Sequence, residues 1–145
     1  MTQTPLSADA SRHDQESRPF STIGLIGRLG SEKVADSLIR LVGFLVARDY
    51  QVVVEDRTAT VIPHHGQPEA SRRALGELCD LVIVIGGDGS LLGAARTLCK
   101  TGTLMLGVNR GRLGFLTDIS PDELEQRVGE VLAGQYEVEE RFLLD

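Results

Sequence analysis

One stretch decides the fold of this chain: Leu81-Val-Ile-Val-Ile85-Gly86-Gly87-Asp88-Gly89-Ser90. Its first five residues are apolar and mostly β-branched, which predicts a fully buried strand. Three glycines then surround one aspartate, and residues 91–100 have helical character. A strand, a glycine-rich turn and a helix form a geometry that binds phosphate. Glycine lets the backbone come close to a ligand, and the helix N-terminus offers free N–H groups.

Asp88 conflicts with a plain phosphate-binding turn. An anion beside phosphate groups costs energy unless it holds a metal or takes up a proton. The alternative is structural: Asp88 caps the following helix in a tight strand-to-helix turn. The conflict makes Asp88 the first candidate for chemistry.

Strands and helices alternate along the rest of the chain. Strands are predicted at Phe20–Ile26, Gln51–Glu55, Leu81–Ile85 and Thr103–Val108. Helices are predicted from the Ser31 N-cap to about Arg48, from about Glu69 to Leu78, from Ser90 to Lys100, where Gly102 ends the helix, and from a capping box at Ser120 to about Ala133. This alternation predicts an α/β fold with a doubly wound, mostly parallel sheet.

Ligands bind such sheets at the carboxyl ends of the strands. The loops predicted there are Gly27–Gly30, Asp56–Pro68, Gly86–Gly89 and Asn109–Gly114. The last of them begins a polar stretch, in which Asn109, Arg110 and Arg112 can reach anionic oxygens and Phe115 can stack on a base. A long solvated loop with its aromatic ring in the core is the alternative. His64 and His65 lie in a Pro/Gly-rich loop, so we expect them to face solvent and form no metal site.

Composition narrows the class of protein. The 145 residues suffice for one domain with its own core. The formal net charge is −6 and there is no basic stripe, which disfavours nucleic acid as a partner. No apolar run approaches the ~20 residues that span a bilayer, and no apolar signal core is present, so we expect a cytoplasmic protein without a membrane partner. Cys79 and Cys99 have no metal-site spacing, and we expect two free, mostly buried thiols.

The chain divides into three predicted parts. Residues 1–19 are polar and unpatterned, which predicts a disordered tail. Residues 20–134 form the α/β domain with the Gly-Gly-Asp-Gly turn. Residues 135–145 alternate in polarity through Tyr136, Val138, Phe142 and Leu144, which predicts a strand that starts a second, β-rich domain.

Two motifs together resemble the NAD kinase family in its bacterial form: Gly86-Gly-Asp-Gly-Ser90 and Gly107-Val-Asn-Arg-Gly-Arg-Leu-Gly-Phe-Leu-Thr-Asp118. The resemblance extends to Leu91–Leu98 and Glu140–Leu144, and it covers about residues 20–145. Phosphofructokinases and lipid kinases carry a similar glycine–aspartate turn, whereas the second motif is far more specific.

The resemblance implies ATP-dependent phosphorylation of NAD at the 2′-hydroxyl of its adenosine ribose, which gives NADP. It implies that Asp88 is the proton acceptor, that Asp88 and Gly89 contact NAD, and that Leu92 and Phe115 line the nucleotide pocket. The phosphate-binding loop would comprise Gly86, Gly87, Gly89 and Ser90, with Asn109, Arg110 and Arg112 as further candidates. ATP or polyphosphate is the implied donor and a divalent cation, Mg²⁺, the implied cofactor. We expect the complete protein to be a homo-oligomer.

Members of the family carry a second, β-rich domain with an Asn-Glu or Asn-Asp motif that holds the NAD ribose and adenine. No such motif follows the α/β domain within these 145 residues. The sequence therefore resembles the N-terminal half of an NAD kinase. Two alternatives stay open: an inactive nucleotide-binding module, and another kinase with the same turn, of the phosphofructokinase or lipid kinase type.

Overall fold

The structure is a computed structural model that describes residues 19–109 and 121–134. Its five strands form one sheet in the order β3-β2-β1-β4-β5, and every neighbouring pair is parallel. The strands are β1 (Thr22–Gly27), β2 (Gln51–Glu55), β3 (Glu69–Ala70), β4 (Leu81–Gly86) and β5 (Leu104–Asn109). The predicted parallel α/β sheet is confirmed. Residues 1–18 of the predicted tail, residues 110–118 of the second motif and residues 135–145 lie outside the described residues.

Helices cover both faces of the sheet. They are α1 (Glu32–Ala47), α2 (Asp56–Ala59), α3 (Arg72–Leu78), α4 (Asp88–Leu98) and α5 (Pro121–Leu132), and a 3₁₀ turn, Cys99–Thr101, follows α4. One core holds side chains of α1 and α5 against β1, β2 and β4. The other core holds side chains of α3 and α4 against β1, β4 and β5. All six residues of β4 are buried because helices cover both of its faces. The sheet is therefore doubly wound, as predicted.

Local signals in the sequence set most helix ends. The Ser31 hydroxyl accepts a hydrogen bond from the Val34 N–H at 3.3 Å, which confirms the predicted N-cap of α1. Gly102 adopts a left-handed conformation with φ of 70° and ends the 3₁₀ turn, as predicted. Helix α4 begins at Asp88, two residues earlier than predicted, because Gly87 is its N-cap.

The segment between β2 and β4 differs from the prediction in two ways. The predicted loop after Glu55 begins with the short helix α2. The predicted helix from Glu69 begins only at Arg72, because the Ser71 hydroxyl caps it by accepting a hydrogen bond from the Ala74 N–H at 3.1 Å. Glu69 and Ala70 pair with Val54 and Glu55 as a two-residue edge strand.

The two cysteines have different environments. Cys79 is buried, and loss of solvation, with the nearby Asp80 carboxylate, raises the pKa of its thiol to about 11. Cys99 is exposed, so the prediction of burial is wrong for it. It lies at the C-terminal end of α4, where its thiol donates to the Arg96 carbonyl oxygen at 3.3 Å. Within residues 19–109 and 121–134, no helix is long and apolar enough to cross a membrane.

Asp80 ties the start of β1 to the start of β4. Its Oδ2 accepts hydrogen bonds from the Ser21 N–H at 2.8 Å, the Ser21 hydroxyl at 2.9 Å and the Thr22 N–H at 3.0 Å. Partial burial by itself would raise the pKa of Asp80, but these hydrogen bonds outweigh it and lower the pKa below its ordinary value.

We expect Asp80→Asn to lower the free energy of unfolding in a pH-dependent way. Because folding lowers the pKa of Asp80, its ionised form stabilises the fold fully above the ordinary pKa of about 3.9. That stabilisation is lost as the pH falls through the lowered pKa. Urea unfolding of wild type and variant should therefore differ most at neutral pH and converge in acid. A difference that stays constant across the acid range would contradict this account.

Candidate active site

The chain reverses its direction across the sheet between β1 and β4. From β1 it moves outward to β2 and β3, and it then returns to the other side of β1 to form β4 and β5. In doubly wound sheets, ligands bind in the crevice that this reversal opens at the carboxyl ends of the strands. The turn after β1, Gly27–Gly30, and the turn after β4, Gly86–Gly89, border this crevice.

The second predicted loop starts from the same edge. Gly86 at the end of β4 pairs in register with Asn109 at the end of β5, and the two strands are parallel. The glycine–aspartate turn and the start of the Asn109 loop therefore lie side by side, as predicted. Arg110, Arg112 and Phe115 lie outside the described residues.

Asp88 is exposed and occupies the first turn of α4. The N-cap is Gly87, so the alternative interpretation of Asp88 as the cap residue is wrong. An acidic side chain in the first turn interacts favourably with the helix dipole. It also lies where the free N–H groups of the helix meet any anion that enters the crevice.

Two other predicted residues flank Asp88 on α4. Leu92 follows it by one helical turn, which puts both on the same side of the helix. Its side chain is 46% exposed, although it is large and apolar. Ser90 is half-buried beside Gly86. The helix therefore presents a carboxylate and an exposed apolar side chain on one side.

The glycines of the turn differ in what surrounds them. A Cβ added at Gly86 would stand 2.8 Å from the Cβ of Ser90 and 3.1 Å from the Cβ of Arg28. A Cβ at Gly89 would meet nothing within 4 Å. Packing therefore explains the glycine at 86 but not the one at 89. A glycine that faces open space beside Asp88 suits close approach of a ligand to the backbone.

We expect Gly86→Ala to destabilise the fold by about 1–3 kcal/mol, because the first turn of α4 must move away from β4. Gly89→Ala is the matched control, and its free energy of unfolding should stay within about 0.5 kcal/mol of wild type. Chemical denaturation of both variants measures the difference. Equal destabilisation by the two substitutions would contradict the packing argument.

A buried polar network supports the neighbouring turn, and the sequence patterns did not reveal it. The Gly27 N–H donates to Thr58 Oγ1 at 3.0 Å, the Thr58 hydroxyl donates to Glu55 Oε1 at 2.6 Å, and Arg72 Nε donates to Glu55 Oε2 at 2.8 Å. Glu55 is 3% exposed and Thr58 is fully buried. The signal in the sequence is a carboxylate that directly follows three valines at the end of β2. The network links the end of β2 to the end of β1 and so fixes the turn at the crevice.

The two histidines differ in their exposure to solvent. His64 is exposed, as predicted, but the His65 side chain is only 3% exposed, so the prediction that it faces solvent is wrong. Its Nε2 lies 2.8 Å from Glu69 Oε2, and its Nδ1 accepts from the Gln67 N–H at 2.9 Å. These partners hold the ring in a polar turn. Residues 19–109 and 121–134 contain no group of three or more His, Cys, Asp or Glu side chains that could hold a metal ion.

The fold and the crevice define a doubly wound α/β domain with a candidate ligand site at its switch point. Comparison with known proteins identifies the family. The family model for the ATP-NAD kinase N-terminal domain matches residues 23–136. The chain belongs to this family, so the resemblance drawn from the two motifs is confirmed.

Individual relatives agree with the family match. The NAD kinase of Chromohalobacter salexigens is 67% identical over 128 residues, which cover 88% of this chain and 44% of that protein. The NAD kinase of Pseudomonas aeruginosa is 61% identical over 127 residues, or 88% of this chain and 43% of that protein. The chain thus spans less than half the length of these relatives.

A solved structure shares the fold. The crystal structure of yeast NADH kinase complexed with NADH matches 81% of this chain and 39% of its own, with a TM-score of 0.68 and 17% sequence identity. At that identity the likeness establishes the fold and no more.

Proposed function

We propose that the protein carrying this chain phosphorylates NAD at the 2′-hydroxyl of the adenosine ribose, with ATP as donor and NADP as product. The observation that carries the proposal is Asp88, an exposed carboxylate on the first turn of α4 at the switch point of the sheet. The identity to proteins named NAD kinase supports the choice of substrate.

Asp88 is the proton acceptor in this proposal. The ribose 2′-oxygen attacks the γ-phosphorus, and a new P–O bond forms as the bond to the bridging oxygen breaks. ADP leaves with the electron pair, and the hydroxyl proton passes to the Asp88 carboxylate and then to water. A carboxylate among glycines suits this task, because Gly89 leaves open space for the ribose to come within hydrogen-bonding distance.

The remaining predicted residues would hold the nucleotides. Backbone N–H groups of the Gly86–Ser90 turn face the phosphates, and Leu92 supplies an apolar contact on the side of α4 that carries Asp88. Asn109, Arg110, Arg112 and Phe115 are proposed contacts from the adjoining loop, on the strength of their motif. Polyphosphate is an alternative donor for the same loop.

A divalent cation, Mg²⁺, is the proposed cofactor. Mg²⁺ bound with nucleotide phosphates keeps several waters and needs few protein ligands. Asp88 is the one carboxylate among the proposed site residues, so the donor phosphates would supply most of the cation's ligands. When bound, the cation neutralises charge on the transferring phosphate.

We further propose a cytoplasmic location and a homo-oligomeric complete protein. Cys79 and Cys99 are both free thiols, which agrees with a reducing compartment. Light scattering on the full-length protein tests the oligomeric state.

The direct test is NADP formation by the full-length protein, with purified enzyme, NAD, Mg²⁺ and either ATP or polyphosphate, and detection by an NADP-specific dehydrogenase. Steady NADP production with at least one donor supports the proposal. No NADP with either donor, from folded protein that binds a nucleotide, would favour the inactive nucleotide-binding module.

A further inference from the structure

Arg28 lies at the crevice between β1 and β4, and it is not among the predicted site residues. It directly follows β1, and its backbone N–H donates to the Ile85 carbonyl oxygen at 2.9 Å. That hydrogen bond continues the ladder between β1 and β4, so the Arg28 backbone is fixed at the switch point. Arg28 is exposed to solvent.

The Arg28 side chain runs along the glycine turn. Its Cβ lies 3.1 Å from the position that a Cβ would take at Gly86, and its Nη1 lies 3.9 Å from the corresponding position at Gly87. The side chain therefore extends from the end of β4 toward the residue before Asp88. The missing Cβ at Gly86 leaves room for this course, whereas a Cβ at Gly87 would be in ordinary van der Waals contact with the guanidinium.

A second hydrogen bond fixes the backbone next to Arg28. Gly27, the preceding residue, donates its N–H to the buried Thr58 hydroxyl, which is in turn bonded to Glu55. A guanidinium on a fixed backbone loses less freedom when it binds a ligand, which favours binding.

Arg28 and Arg72 differ in their partners. Arg72 donates to the buried Glu55 carboxylate and so belongs to the structural network. Among the residues that the structure describes, none forms a hydrogen bond or an ion pair with the Arg28 guanidinium. Its positive charge instead stands beside the N-terminus of α4, whose partial charge is also positive. A guanidinium and the positive N-terminus of a helix at the same turn favour binding of an anion between them.

We propose that Arg28 binds a phosphate group of the nucleotide that lies against the Gly86–Gly89 turn. The planar guanidinium can donate two parallel hydrogen bonds to phosphate oxygens, which a lysine ammonium cannot reproduce. The proposal rests on the proposed function for the identity of the nucleotides. The phosphate belongs either to the triphosphate of the donor or to the pyrophosphate of NAD.

The test compares Arg28→Ala and Arg28→Lys with Arg96→Ala in the full-length protein. Arg96 lies in the last turn of α4, at the other end of the same helix, so its replacement removes an equal charge away from the crevice. KM for ATP at saturating NAD, KM for NAD at saturating ATP, and the melting temperature are measured for each variant.

We expect Arg28→Ala to raise one KM by at least about tenfold, because a charge-assisted hydrogen bond is lost, with an unchanged melting temperature. Arg28→Lys should recover only part of the loss, and Arg96→Ala should match wild type. A rise in KM for ATP assigns the donor phosphate, and a rise in KM for NAD assigns the pyrophosphate. Unchanged values of both for Arg28→Ala and Arg28→Lys would overturn the proposal.

The two proposals fail in distinguishable ways. If wild-type protein makes no NADP, the proposed function fails, but calorimetric binding of ATP and of NAD to wild type and Arg28→Ala still tests Arg28. Weaker binding of either nucleotide to Arg28→Ala supports the assignment. Equal binding of both nucleotides to the two proteins overturns it.

Discussion

Replacing Asp88 by asparagine in the full-length protein should lower turnover by roughly 10²-fold or more, with little change in KM for NAD or ATP. Asparagine keeps the size and the hydrogen-bonding capacity of the side chain but cannot take the proton from the ribose hydroxyl. The loss should therefore fall on the chemical step and leave nucleotide binding in place. Steady-state kinetics with each substrate varied in turn separates the two.

Asp80→Asn is the matched control for Asp88→Asn. Both substitutions turn an aspartate into an asparagine at an end of β4: Asp80 precedes the strand and Asp88 follows it. Asp80 bonds Ser21 and Thr22 at the opposite edge of the sheet from the crevice. We expect Asp80→Asn to lower the free energy of unfolding and to leave turnover unchanged. We expect Asp88→Asn to lower turnover and to leave the free energy of unfolding nearly unchanged. Near-wild-type turnover of Asp88→Asn would show that Asp88 is not the proton acceptor and only interacts favourably with the helix dipole.

The sequence predicted the sheet because its signals are local. The apolar run Leu81–Ile85 can be stable only inside a sheet covered on both faces, and all of it is buried. The Ser31 hydroxyl can cap a helix N-terminus, and Gly102 can adopt the left-handed conformation that ends a helix, so each residue signals a helix end by itself. Position at the carboxyl edge then follows from parallel order, which is why Asp88 and the start of the Asn109 loop were predicted side by side.

Other features depend on partners far apart in the chain and left no local pattern. Thr58 acts through Gly27, and Arg72 acts through Glu55, so neither role is visible until the fold brings them together. The edge strand β3 is only two residues long, too short for alternation to reveal. His65 looked like a solvent-facing loop residue, but Glu69 and the Gln67 N–H hold its ring.

A protein made of residues 1–145 alone should convert no measurable NAD to NADP, although its α/β domain should fold. The chain spans 44% of the Chromohalobacter relative, and the family resemblance implies that contacts to adenine and ribose come from the remainder. Phosphoryl transfer requires the hydroxyl and the γ-phosphate to be held in line. Asp88 and the Gly86–Gly89 turn supply only one wall of such a cleft.

The comparison pairs residues 1–145 with the full-length protein under one assay, with ATP, Mg²⁺ and NAD. Circular dichroism should show a folded α/β domain, and calorimetry should show weak nucleotide binding at best. The sequence predicts a strand at residues 135–145 with apolar residues at 136, 138, 142 and 144. We expect the short protein to self-associate, because such a strand without a pairing partner attracts copies of itself. Steady NADP production by the short protein would show instead that one wall is enough, and that Asp88 and the loops beside it hold both nucleotides unaided.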